Sequence, residues 1–194
     1  MKQFSSLHSL NQKGKFGNFE NQTENNLIKI SEVSNILIYQ VVRLKNSNFN
    51  IDKMKIDDLP LPKNLKTSSN LNTNILWVGP NNWLVTSIKL NLFENERKKF
   101  DVENFAITEL SHSRTIIEVE GNFVEEVLKK GCPVDISNLK KGDCINSVYN
   151  GISVTIDFVK DDPKKIRIFG ARSFGESLYY SITDAALEFG YLVK

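Results

Sequence analysis

Apolar positions recur along the chain mainly with a period of two, and two amphipathic stretches break that rhythm. The cleanest alternation is Ile152 to Phe158, where Ile152, Val154, Ile156 and Phe158 are interleaved with Ser153, Thr155 and Asp157. Such a strand presents one face to a core and one to water. Asp161-Asp162-Pro163 turns the chain into a second alternating strand, Lys165 to Phe169, so the pair is predicted to be a β-hairpin. Between Asn35 and Leu44, Ile36, Ile38, Val42 and Leu44 share one face and Leu37, Tyr39 and Val41 the other; apolar cover on both faces predicts an interior strand. Ile75 to Val78 and Trp83 to Ile88 flank Gly-Pro-Asn-Asn. Gly79 and Pro80 punctuate that stretch and Asn81 or Asn82 tolerates positive φ, which predicts another hairpin. Phe105 to Leu110 and Thr115 to Glu120 complete the strand candidates, separated by Ser111-His112-Ser113-Arg114.

The helical pattern follows. Asn122 with Glu125 has capping spacing, Phe123, Val124, Val127 and Leu128 form a stripe, and Gly131 then Pro133 stop it. Ser173 with Glu176 is predicted to open a last helix, with Phe174, Leu178, Ile182, Ala185, Ala186 and Phe189 on one side and Gly190 at its end. Glu94 to Phe100 is a shorter, charged helix candidate. Strands in consecutive pairs with intervening helices make the fold class α+β. A chain of 194 residues suits one domain that buries roughly 70% of its unfolded surface. The expected organisation is therefore an extended N-terminal arm over 1–32 and a single α+β domain over 33–194. The arm is polar and asparagine-rich, with Gly14 and Gly17. It has little apolar surface to offset ordering entropy, so it is either mobile or laid along a partner.

Hydrophobic residues at 40% and charged residues at 25% keep the chain clear of the disordered class. A formal charge of +2, from 25 basic and 23 acidic residues, sets up no field to hold a polyanion, so nucleic acid is not an expected partner. No apolar run reaches the roughly 20 residues of a membrane span, and no signal-peptide core is present, so the expectation is a cytoplasmic protein without membrane contact. Cys132 and Cys144 are then reduced, packed thiols. The sequon Asn21-Gln22-Thr23 carries no meaning without secretion.

Catalytic chemistry finds no constellation. The two histidines, His8 and His112, have no CxxC or HxxxH companions, so no metal site is expected. Neighbours on a strand point to opposite faces, which leaves His112 badly placed as base for either adjacent serine. Cys132 follows a predicted helix C-terminus, where the dipole raises a thiol's pKa. Neither GxGxxG nor GxxxxGK[ST] occurs, so no nucleotide or flavin cradle is expected. Asp57-Asp58 and Asp161-Asp162 read as solvated turns.

What remains are contact residues. Trp77 and Trp83 are bulky enough to anchor a core or an interface. Arg114 and Arg172, at strand ends, suit either a bidentate carboxylate from a partner or an intrachain ion pair. With His112 they form the candidate subunit-interface set.

Four signatures in order carry a resemblance: Ile75 to Val85 (ILWVGPNNWLV), Ser111 to Arg114 (SHSR), Lys130 to Asp135 (KGCPVD) and Arg172 to Phe174 (RSF). They resemble the gamma subunits of the heterotetrameric sarcosine oxidases, with Val78 in place of a leucine and Ser113 in place of a frequent glycine. The similarity extends back through the Pro60 to Lys63 turn to Ile28 to Leu44. The resemblance implies a fold like the folate-binding domain of the glycine-cleavage aminomethyltransferases. It implies membership of a complex that oxidatively demethylates sarcosine to glycine, with hydrogen peroxide and methylenetetrahydrofolate as the other products. It also implies that FAD, FMN, NAD, zinc and tetrahydrofolate sit on the alpha, beta and delta subunits, that none is held by this chain, and that gamma serves assembly. The alternative is a free-standing folate-binding or aminomethyltransferase-like protein of the same fold.

Overall fold

The computed structural model describes residues 5–7, 10, 12–20 and 22–193; His8 and Asn21 of the sequon lie outside them. In chain order come strands β1 (Gly14–Phe16), β2 (Ile28–Glu32) and β3 (Leu37–Arg43), the short β4 (Lys55–Ile56) and β5 (Leu59–Pro60), then β6 (Thr67–Ser69), β7 (Thr73–Gly79) and β8 (Asn82–Ser87). Helix α1 (Leu92–Glu96) precedes β9 (Phe105–Glu109) and β10 (Arg114–Glu120). Helix α2 (Val124–Gly131) precedes β11 (Cys144–Tyr149), β12 (Ile152–Asp161) and β13 (Lys164–Ala171). Helix α3 (Gly175–Ala186) and β14 (Tyr191–Val193) follow. The class is α+β, as the strand pairing predicts. No helix among the described residues is long and apolar enough to cross a membrane.

The chain divides into two compact units, one made of Asn35–Ser111 and the other of Met1–Ser34 with His112–Lys194. The first holds an antiparallel sheet in the order β6-β7-β8-β3-β9. β3 is interior, as its two apolar faces require. Leu37, Tyr39 and Val41 from it, with Ile75, Trp83 and Val85, pack against Met54, Ile56, Leu92, Phe100 and Phe105. Tyr39 is fully buried, and that burial, with Glu96 nearby, pushes its phenol well above the ordinary range. β7 and β8 form the expected hairpin, with Trp77 opposite Trp83 and Asn81 at φ 56° in the connection. A second tight hairpin joins β4 to β5 through Asp57 and Asp58, at φ 51° and 64°, the left-handed pair that a type I′ turn demands.

The discontinuous unit holds a seven-stranded sheet in the order β1-β14-β2-β10-β13-β12-β11. Its neighbours are antiparallel except β14 and β2. One face is covered by α2, through Val124, Val127 and Leu128, and by α3, through Leu178, Ile182 and Ala186. Both helices share a core with Ile117, Val119, Ile156, Phe158, Ile166 and Ile168. The opposite face carries a charged ladder: Lys165 Nζ lies 3.0 Å from Glu118 and 2.8 Å from Glu120, and Arg167 Nε lies 2.9 Å from Glu118.

Several expectations need correcting. The N-terminal stretch is not a detached arm: β2 is paired on both sides, Leu7 is fully buried in the helix-covered core, and Phe16 stacks on Tyr191 at 5.2 Å. Sparse apolar residues suffice there because each enters a core already built by later strands. The two units part after Ser34 and after Ser111. Neither helix has its predicted side-chain cap. α2 starts after Phe123, and α3 follows a 3-10 turn at Arg172–Phe174, so Asn122 and Ser173 each stand one residue ahead of the N-cap position. Phe174 is 53% exposed rather than in the core. The supposedly solvent-facing Asp157 of β12 is buried.

Candidate functional site

The tryptophan hairpin in the contiguous unit is the first candidate. Opposed positions on antiparallel strands project to one face of the sheet, so Trp77 and Trp83 sit side by side across β7 and β8. Their fates differ. Trp83 is buried, and its indole Nε1 donates to the Pro62 carbonyl at 3.0 Å. That bond ties the Leu59-Pro60-Leu61-Pro62 segment down onto the sheet. Trp77 is only half-buried, and its backbone N–H donates to the Lys66 carbonyl at 3.2 Å. Beside the pair lies a hollow of about 500 Å³, walled by Leu61, Pro62 and the tryptophans and rimmed by Asp52 and Lys63. Trp83 thus fixes one wall of the hollow, and half-buried Trp77, packed against the same core, lines it.

The other three candidates lie in the discontinuous unit. Ser111 closes the contiguous one: its Oγ accepts from the Ile38 N–H at 3.0 Å and lies 3.3 Å from the Ile38 carbonyl. His112 begins the next segment in the 111–113 turn and is exposed. Arg114 opens β10 opposite Ala171, and the Arg172 N–H donates to the Ser113 carbonyl at 2.9 Å. The backbone therefore brings Arg114 and Arg172 to one corner of the seven-stranded sheet, where both are half-buried.

The remaining chemistry-bearing residues have structural roles. Cys132 and Cys144 are free and buried, and Cys132 Sγ lies 3.3 Å from Ser147 Oγ. Tyr149, buried behind α2, donates its hydroxyl to the Val127 carbonyl at 2.9 Å, and burial pushes its phenol well up. No group of three His, Cys, Asp or Glu side chains among the described residues could hold a metal ion.

Asp57, read in the sequence as a solvated turn, is instead the hub of a polar network. Lys89 Nζ donates to its Oδ1 at 2.6 Å, and Thr73 Oγ1 and Asn70 Nδ2 donate to Oδ2 at 2.7 and 3.1 Å. The hydrogen bond from Lys89 is the main reason its carboxyl is held down at about 2. These partners stand 13 to 32 positions away, a separation that no local pattern reveals.

Residues 45–188 match the family model described as "Sarcosine oxidase, gamma subunit family". All four signature segments fall within that span, whereas Ile28 to Leu44 precede it. The chain is similar to a solved structure, the heterotetrameric sarcosine oxidase from Corynebacterium sp. U-96 in complex with pyrrole 2-carboxylate. The identity is 21%, the TM-score 0.76, and the match covers 86% of this chain and 87% of that one. It is also similar to the glycine cleavage system aminomethyltransferase T from Bartonella henselae, at 12% identity and a TM-score of 0.61 over 82% of this chain and 46% of that one. At such identities these likenesses bear on the fold. No curated protein sequence matches the chain.

Proposed function

The chain belongs to the sarcosine oxidase gamma subunit family, and from that premise we propose that it is the small gamma subunit of a heterotetrameric oxidase, acting in assembly rather than in chemistry. In this reading the complex demethylates sarcosine to glycine and yields hydrogen peroxide and, with tetrahydrofolate as acceptor, methylenetetrahydrofolate. FAD, FMN, NAD, zinc and the folate are held by its alpha, beta and delta partners, in the cytoplasm. The candidate contact residues are Trp77, Trp83, His112, Arg114 and Arg172.

The observation that carries the reading is the tryptophan hairpin inside the family-matched span. A half-buried Trp77 stands over a preformed hollow whose far wall is fixed by the Trp83 to Pro62 hydrogen bond. A rigid, partly apolar platform of this kind suits a protein contact, where indole rings contribute a large share of binding energy. The charged residues at its rim, Asp52 and Lys63, suit the polar border of such a contact.

The test is to isolate the tagged chain from a host that co-expresses alpha, beta and delta oxidase subunits, then record subunit masses, an absorption spectrum and peroxide production from sarcosine. A flavin-coloured complex with three further subunits and sarcosine-dependent peroxide is the expected result. A colourless chain that elutes alone and binds tetrahydrofolate would refute the assignment and favour a free-standing folate protein.

A further inference from the structure

Helix α3 carries an outward stripe that the core does not use. Helical residues four apart lie on one face, and Glu176, Tyr180, Asp184 and Glu188 follow that spacing, with Leu187 alongside. While Leu178, Ile182 and Ala186 are fully buried on the inner side, Tyr180 is 57% exposed and Leu187 42% exposed. Between these two lies a hollow of about 460 Å³, lined also by Asp184, Asn150, Thr183 and Tyr191. α3 itself contains no lysine or arginine. Glu188, just beyond it, is neutralised by Lys130 at 2.9 Å. Asp184 is exposed and forms no ion pair among the described residues. A merely solvated helix face tends to mix charges of both signs and to keep large rings away from water. This one sets the exposed Tyr180 ring and the Asp184 carboxylate side by side at an open hollow.

We propose that the α3 stripe is the docking surface for an arginine-bearing segment of another subunit of the oxidase, with one guanidinium seated in the hollow between Tyr180 and Asp184. This rests on the subunit reading above. A planar guanidinium meets each feature of the hollow: its N–H fork pairs bidentately with a carboxylate, and its face lies on an aromatic ring. Tyr180 supplies the ring, Asp184 the carboxylate and the Asn150 side chain a further polar contact. Leu187 borders the hollow as apolar surface that shields the pair from water, the setting in which tyrosine and arginine become dominant contacts. An ammonium head without the planar fork satisfies the charge and not the stacking.

The experiment uses the tagged full chain co-expressed with its oxidase subunits. It compares wild type with Asp184→Arg, Asp184→Asn and Tyr180→Ser, and with Glu126→Arg on exposed α2 as a matched charge change elsewhere. Circular dichroism confirms that each variant is folded. The expected result is that Asp184→Arg lowers the co-eluting subunits by at least about tenfold, as loss of a desolvated charge pair does. Asp184→Asn and Tyr180→Ser should lower them by a smaller factor, and Glu126→Arg should match wild type. A photo-crosslinking residue placed at Leu187 should capture a partner peptide that contains arginine. Undiminished capture by folded Asp184→Arg and Tyr180→Ser overturns the inference and leaves the subunit reading standing. Equal losses from Asp184→Arg and Glu126→Arg also overturn it, because charge alone would then account for the effect. If wild type itself captures no oxidase subunit, the subunit reading fails, and the proposed occupant with it.

Discussion

Replacing Asp57 by asparagine isolates the charge at the centre of the network beneath β7 and β8. Asparagine keeps the size of the side chain and tolerates the left-handed backbone, here φ 51°, so the turn should survive. The carboxyl is held at about 2 against an ordinary 3.8, and at ~1.4 kcal/mol per pH unit that depression corresponds to about 2.4 kcal/mol. The Lys89 side chain is 41% exposed, so water screens part of the attraction and the expected loss is about 1.5 kcal/mol at pH 7. The sign follows from linkage. A carboxyl whose folded pKa is depressed contributes stability above its unfolded pKa and loses it as pH falls toward the folded value. The gap between wild type and Asp57→Asn should therefore stay constant from pH 7 to about 5 and fall by roughly half near pH 3. Urea unfolding followed by tryptophan fluorescence is the assay. The chain has two tryptophans, Trp77 and Trp83, so the signal reports the unit that contains Asp57. A loss below about 0.5 kcal/mol at pH 7, or a gap as wide at pH 3 as at pH 7, would refute the electrostatic account.

Three further outcomes test the packing. Leu7→Ala should cost about 2–4 kcal/mol in thermal unfolding of the isolated chain, because Leu7 is fully buried; a near-zero cost would mean that the N-terminal stretch is ordered only by a partner. Gly131→Ala should destabilise by about 1–3 kcal/mol, since a Cβ there would sit 2.8 Å from the Tyr149 ring; an unchanged melting temperature would show that the ring yields freely. Cys132 and Cys144, both buried and free, should resist iodoacetamide in the native protein and react in denaturant. Rapid native alkylation seen by mass spectrometry would contradict their burial.

Strands were legible where an apolar run or an alternation lasted long enough: β3, β7 and β8 from their runs and turn, β12 and β13 from their alternation, all stand close to where the sequence puts them. Segments of two or three residues, such as β1, β4, β5 and β14, are too short to carry one. β11 had a readable signal that alternation alone does not supply: Asn150-Gly151, at φ 46° and 80°, joins it to β12, and that dipeptide is the strongest short mark of a tight hairpin. The helix starts shifted because Asn122 and Ser173 have capping spacing but fall in the turns ahead of α2 and α3. At the candidate sites the tryptophan pair was visible as a motif, whereas its division into one buried and one half-buried ring depends on Pro62, 21 positions from Trp83. The i, i+4 spacing of Tyr180 and Asp184 was equally visible. That the stripe borders a hollow depends on Asn150 and Tyr191 coming from other elements.

The sheet order also sets a timetable for synthesis. Residues 35–111 leave the ribosome as one uninterrupted stretch, and every strand partner of their five-stranded sheet lies within it. β1 instead has β14 as its sheet neighbour, and β14 also flanks β2. At ~5–20 residues translated per second, β1 waits on the order of ten seconds or more for that neighbour to be made. Throughout that interval Leu7 and Phe16 lack part of their packing, so the nascent chain offers chaperones an apolar N-terminal segment while its middle is able to fold. A ribosome stalled before residue 191 would therefore hold a formed centre between two waiting ends.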